Sequence, residues 1–259
     1  NASNDTYVSW CWKANGGTTS TNSDGDINST VQVNSTAGFS IITDSPSNNT
    51  ARTIGHGLGA KPDMIIRRAR NRSEDWAVYV GIFESTLPGG WQGLNTTAVY
   101  NDSATTLFTS VSNTTFGVGT DFSVNGAYNY ITYAFRSVQG YSKFASYVGN
   151  GSTNGTFVFT GFKPRFIMLK ETANTNSWWM FDTKRDSFNT ADARLAANTS
   201  DAEATGSFTN VVNFLSNGFK FKNSDSAWNR SGGIYFYMAF AENPFVTSDD
   251  GGSIPTTAR

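Results

Sequence analysis

Apolar residues in this chain fall in short runs separated by Gly-, Ser-, Thr- and Asn-rich stretches, and many runs have a period of two. A period of two places alternate side chains on opposite faces of a strand. Phe219-Lys-Phe-Lys222 puts two rings on one face and two lysines on the other, and Tyr128 to Phe135 alternates aromatic with small residues. Phe39-Ser-Ile-Ile-Thr43 and Trp76-Ala-Val-Tyr79 read as further strands, and Val31 with Val33 as one edge strand. Met64-Ile65-Ile66 is a continuous apolar run, which predicts a strand covered on both faces. Val211 to Ser216, Asn217-Gly218 and Phe219 to Lys222 spell a hairpin with Asn-Gly at a turn that needs positive φ. Residues 186–204 read as a long surface loop with room for a helical turn around Ala191–Ala197. The tail from Val246 to Arg259 reads as a linker or disordered end.

The pattern repeats. Lys61-Pro62 recurs as Lys163-Pro164, and the offset of 102 holds without a gap for twenty positions. Within that window Ile65 meets Ile167, Trp76 meets Trp178 and Tyr79 meets Phe181. Tyr130-Ile-Thr-Tyr-Ala-Phe135 returns as Tyr235-Phe-Tyr-Met-Ala-Phe240, following Asn125 and Asn229. Tyr7-Val-Ser-Trp-Cys-Trp12 reads as a third, orphan copy of that strand. A period near 100 residues is that of a domain. The expected fold is therefore all-β, with tandem antiparallel β-sandwich modules of jelly-roll or concanavalin-like type. The expected division is 1–37 (N-terminal strand and linker, the remnant of a preceding module), 38–137 and 138–245 (the two sandwich repeats), and 246–259 (tail). The orphan strand is suited to exchange between neighbouring modules or chains. With no initiator Met or signal peptide, the chain reads as a fragment or processed product.

Charge adds mainly exclusions. Charged residues are 15% of the chain and the net charge is −1, so nothing favours nucleic acid or an anionic membrane. The basic cluster Arg67 to Arg72 reads as a solvated strand end, and no run has the length of a membrane span. The lone Cys11 cannot form an intrachain disulfide and reads as a buried, inert thiol. His56 is the one histidine, in a Gly-His-Gly turn, so no histidine-based catalytic set can be assembled and no cofactor is expected. Asn22-Ser-Asp24-Gly-Asp26-Ile-Asn28 is a weak calcium-loop pattern, with Asp24 and Asp26 as ligands but Val33 where a closing glutamate belongs. Glu84, Asp182, Asp186 and Glu203 are carboxylates without the spacing that marks a glycosidase pair, and Asp182 reads as a salt-bridge partner of Arg185.

Tryptophans are the better ligand candidates. The repeat makes Trp76 and Trp178 shared core residues, so Trp179, aligned with Ala77, should face outward as a stacking platform. Trp91 in Pro88-Gly-Gly-Trp91 and Trp228 before Asn229 are the loop candidates; the alternative is that Trp179 packs under the 186–204 loop and that the loop tryptophans anchor their own loops.

Gly55-His-Gly-Leu-Gly-Ala-Lys-Pro-Asp-Met-Ile-Ile66 resembles a repeated domain of uncharacterised function found in marine bacteriophage virion proteins. Tyr147-Val-Gly-Asn-Gly151, Phe157-Val-Phe-Thr-Gly-Phe162, Ser216-Asn-Gly-Phe-Lys220 and Tyr237-Met-Ala-Phe-Ala-Glu-Asn-Pro-Phe245 resemble it too, covering roughly residues 20–245. The resemblance carries no catalytic residues. It implies a non-enzymatic virion structural protein on a tail or head fibre or spike, contacting other virion proteins, itself (as a homotrimer, by analogy with fibres) and a host-surface glycan or receptor. A purely architectural decoration or fibre shaft, and a glycan-degrading enzyme of concanavalin-like fold, are the alternatives.

Overall fold

The computed structural model describes residues 6–45, 49–83, 90–101, 107–205 and 210–244; Glu84 and the tail from Val246 lie outside them. The first half holds β1 (Ser20–Asn22), β2 (Ser29–Asn34), β3 (Phe39–Asp44), β4 (Arg52–Gly55), β5 (Met64–Ala69), β6 (Ala77–Val80), β7 (Trp91–Gly93), β8 (Phe108–Val111), β9 (Thr115–Val118) and β10 (Tyr130–Phe135). The second half holds β11 (Ser142–Val148), β12 (Phe157–Phe159), β13 (Pro164–Glu171), β14 (Trp179–Asp182), β15 (Leu195–Ala196), β16 (Val212–Leu215), β17 (Gly218–Phe221), the single turn α1 (Ser226–Asn229) and β18 (Ile234–Ala241). The protein is all-β and its sheets are antiparallel.

Pairing orders in the two halves coincide. One large sheet runs β1-β2-β3-β10-β5-β6-β7 and the other β11-β18-β13-β14-β15; the small sheets run β4-β9-β8 and β12-β17-β16. Without β1 and β2, each strand of one half has a counterpart at the same place in the other.

Alternation along the strands stacks these sheets in four layers. Ile65, Tyr79 and Ala134 meet Ile54, Phe116 and Val118 of the first small sheet. Ile167, Phe181 and Tyr237 meet Val158, Phe214 and Phe219 of the second. Met64, Ile66 and Val80 face the other way and meet Phe166, Met168 and Phe240, so both large sheets share a central apolar layer. This explains the unbroken Met64-Ile65-Ile66 run, since β5 has protein on both faces. Aromatic rings fill much of the layer; Phe135 lies 5.7 Å from Phe144, centroid to centroid. At its margin the Trp178 indole donates to Gly93 O (2.8 Å), the Gln92 amide to Glu171 O (3.3 Å) and the Tyr100 N–H to Thr172 O (2.7 Å). Lys170, fully buried there, donates to Thr97 O and Asn174 O, both at 3.2 Å.

Several expectations change. Trp178 is a core residue, of the central layer, while Trp179 faces the second half's own sandwich, partly buried and paired with Ala196 of the 186–204 segment, which is its alternative placement and not the outward one. Tyr7 to Trp12 is not a strand, because β2 already occupies the β3 edge; the segment crosses the end of the central layer instead. Cys11 is exposed, since Trp10 and Trp12 on the alternate side carry the packing. The Val31–Val33 strand is internal, with β1 outside it. The hairpin at 216–217 forms, but Leu215 pairs with Gly218, so Ser216-Asn217 is the turn and Gly218 begins β17, where a Cβ would strike the Val158 carbonyl oxygen. Residues 186–204 form no helix; they carry β15 and the bridges Ala191–Val212 and Arg194–Ala204. Arg67, assigned to a solvated strand end, is wholly buried; its guanidinium lies 2.6 Å from the Asp44 carboxylate.

Candidate functional site

Two hollows flank the segment that runs over the central layer. One, about 920 Å³, lies between Thr6 to Val8 and the Arg185, Leu195 and Ser200–Glu203 region. The other, about 350 Å³, lies beneath Val8 to Trp12, against Tyr141, Arg165, Phe166, Asp182, Lys184, Phe240 and Ala241. Arg185 lines both.

Local structure fixes Arg185. The chain turns immediately after β14, and Asp182 caps that turn: its Oδ1 accepts the Lys184 and Arg185 N–H groups, both at 2.9 Å. Its Oδ2 accepts Arg185 Nε at 2.6 Å, while Arg185 Nη1 pairs with Glu203. Burial alone would raise the Asp182 pKa, but the hydrogen bonds and charge of Arg185, with the Lys184 N–H, pull it below the ordinary carboxylate value. A glycosidase acid needs a raised pKa. Asp182 and Glu203 both lean on one guanidinium, and the Asp182 shift runs opposite to that requirement.

Aromatic rings form the other wall. The Arg185 guanidinium sits 5.6 Å from the Trp10 ring, Trp10 lies 5.2 Å from Phe166, and Trp12 lies 5.3 Å from Phe240. Tyr7 is 62% exposed at the mouth. Flat rings beside fixed hydrogen-bonding groups suit a ligand with alternating apolar and hydroxylated faces. Arg165, Lys184 and Arg185 are matched in number by Asp182, Asp201 and Glu203, so the lining favours neither anion nor cation.

The sequence-predicted candidates lie elsewhere. Trp228 is wholly buried, its indole on Asn223 Oδ1 at 2.6 Å, so no ligand can stack on it. Trp179 packs edge-on to Trp228 at 5.9 Å, with Arg194 5.8 Å from its ring. Trp91 is partly buried against the first small sheet and borders a separate hollow of about 330 Å³. These three do not converge. Asp26 spends its Oδ2 on the Thr53 N–H (2.7 Å) and hydroxyl (2.9 Å), and these bonds lower its pKa; Asp24 accepts from the Asn22 amide. The calcium pattern thus works as a clamp between the β1–β2 loop and β4, and no group of three or more His, Cys, Asp or Glu among the described residues could hold a metal. His56 is a buried turn residue: Nδ1 accepts the Leu58 N–H, Nε2 faces Ser112 O at 3.3 Å, and burial lowers its pKa. Asp186 ties its own loop by accepting the Asp192 and Ala193 N–H groups.

Sequence reading missed the groove because its two walls are far apart in the chain. One signal was present: Trp10 and Trp12 share a face at period two, with Cys11 opposite.

The profile of a domain of unknown function, DUF7483, matches residues 1–244, through the N-terminal segment and both halves. The chain belongs to the DUF7483 family. No curated protein and no solved structure matches it.

Proposed function

We propose that this DUF7483 chain is a non-enzymatic structural protein of a bacteriophage virion: two tandem β-sandwich modules on an external tail or head fibre or spike that contact a host-surface glycan. The viral placement rests on the resemblance of the Gly55–Ile66 and Tyr237–Phe245 phrases. The tandem reading rests on the matched strand orders. The observation that carries attachment is the groove beside Arg185, where Trp10 and Tyr7 stand next to two carboxylates that share one guanidinium. Single contacts of this kind are weak, and display of many copies strengthens them.

The test is binding of the chain, clustered on beads, to a glycan array and to host-envelope polysaccharide, alongside Arg185→Ala and Trp10→Ala. Binding lost in both variants while their thermal unfolding shows a folded protein supports attachment through this groove. Absence of binding in every form sinks that reading and leaves the architectural one, which the placement of Trp228 and Trp179 within the body favours.

A further inference from the structure

The two halves differ at one edge. In the first, residues 20–34 cover it: β2 pairs along the whole of β3, Ile27 bridges to Ile54, and Asp26 and Ser29 clamp Thr53 and Gly55 of β4. The corresponding strands of the second half, β11 and β12, are the terminal strands of their sheets. There Val148 is 53% exposed, Phe157 43% and Phe159 55%, where the first half is covered; Val148 lies on the Phe144 face of β11, and Phe157 and Phe159 flank the inward Val158 of β12, with Lys143 Nζ 5.2 Å from the Phe159 ring.

Hydrogen bonding along β11 is selective. Residues 143, 145, 147 and 149 turn their backbone groups toward β18, as the Gly149 N–H to Gly233 O bond shows, so residues 142, 144, 146 and 148 face outward. The ends of that outward edge are tied off. Ser142 exchanges bonds with Val138, the Phe144 N–H donates to Ser137 Oγ (3.1 Å), and Val148 O accepts the Thr156 hydroxyl (2.7 Å). Among the described residues, the outward groups this leaves without a partner are Phe144 O, both groups of Ser146, and the Val148 N–H. Under a two-fold axis at Ser146 this set complements itself: Ser146 bonds the second copy's Ser146 in both directions, and each Val148 N–H meets the other copy's Phe144 O. The tied-off groups, Phe144 N–H and Val148 O, are each other's partners in that same register, so nothing is left half-satisfied.

We infer that β11 is a homodimerisation edge, pairing antiparallel with β11 of a second copy about a two-fold at Ser146 and joining two five-stranded sheets into one. Charge does not oppose it: Lys143 lies opposite the second copy's Gly149, about 20 Å along the strand from the second copy's Lys143 at 3.4 Å per residue. The inference is independent of the attachment groove. It sets a two-fold contact in place of the three-fold expected by analogy with fibres.

Sedimentation of the purified chain between about 1 and 100 µM measures the self-association directly. A dimer is expected. Ser146→Pro removes an N–H that the body of the protein does not use, a substitution an edge strand accepts, and should weaken the dimer at least about tenfold with unchanged circular dichroism. In a Cys11→Ser background, Ser146→Cys should form a covalent dimer on mild oxidation, because facing hydrogen-bonded residues sit about 5.5 Å apart, within disulfide reach. Lys143→Cys in the same background should not. A monomer throughout the range overturns the inference. So does an oligomer untouched by Ser146→Pro together with a Ser146→Cys variant that fails to cross-link.

Discussion

At the heart of its small-sheet sandwich, each half solves the same position with opposite chemistry. In the first half Asp44 lies opposite Tyr130, and in the second Tyr147 lies opposite Tyr235, the equivalent tyrosine of the repeated phrase. The 102-residue offset pairs Arg67 with Leu169. The first half thus buries an ion cluster: Arg67 grips Asp44 at 2.6 and 2.8 Å, Arg52 reaches the same carboxylate at 3.0 Å, and the Arg67 guanidinium lies 4.3 Å from the Tyr130 ring. The second half buries rings instead, with Tyr147 stacked on Tyr235 at 5.0 Å and on Phe221 at 5.8 Å.

One contact is common to both. Arg67 Nε donates to Val124 O at 2.7 Å, and the Tyr147 hydroxyl donates to Trp228 O at 2.7 Å. Val124 and Trp228 each precede the asparagine of the repeat. Asn125 donates to Thr50 O and Gly119 O, and Asn229 to Ser152 O and Asn223 O. The frame requires that this buried carbonyl be met and the asparagine turn pinned. Whether a charge network or an aromatic stack meets the carbonyl is free, because each is satisfied internally.

That freedom can be broken unevenly. Arg67→Leu alone leaves the buried Asp44 carboxylate with Arg52 as its partner cation and should cost about 3 kcal/mol in urea unfolding. Asp44→Tyr with Arg67→Leu, which installs the second half's pair, should recover a large part of that loss. A double mutant no better than Arg67→Leu would show that the two solutions are not interchangeable.

A smaller effect comes from pH. Burial pushes the Lys170 pKa down to about 8, with Glu171 opposing. Between that value and the lysine value of 10.5, the unfolded chain holds the extra proton, so stability should rise by about 2 kcal/mol from pH 7 to 10. Above pH 10 it should fall, because burial raises Tyr235 to about 12 and lifts Tyr147 and Tyr237 also, and the unfolded chain then loses protons first. Lys170→Met should remove the rise and leave the fall; a rise that persists would assign it to another group. Smallest is Tyr147→Phe, which leaves the stack but removes the hydroxyl's bond to Trp228 O, at about 1 kcal/mol by thermal unfolding. No loss would mean that water replaces the hydroxyl.

Much of the frame was legible because it depends on local pattern. Alternation gave the strands, the apolar run gave the doubly covered β5, and the offset gave the matched order. The central layer was not legible, since no pattern along one strand says what lies across its second face; Trp178 was read as core and is, but Trp179 was read as facing outward when that side of its sheet is covered by the second small sheet. The ion cluster was hidden because Asp44, Arg52 and Arg67 each look like a surface charge until the fold brings them together. The groove failed for the same reason, joining residues 6–12 to residues 182–203.

The central claim is that both halves fold as one unit through the layer they share. Hydrogen exchange of wild type and Trp178→Ala tests it most directly, since Trp178 belongs to the second half but donates to Gly93 in the first. Faster exchange is expected in β5, β6 and β7 as well as in β13 and β14. Faster exchange confined to β13 and β14, with the first half unchanged, would contradict it.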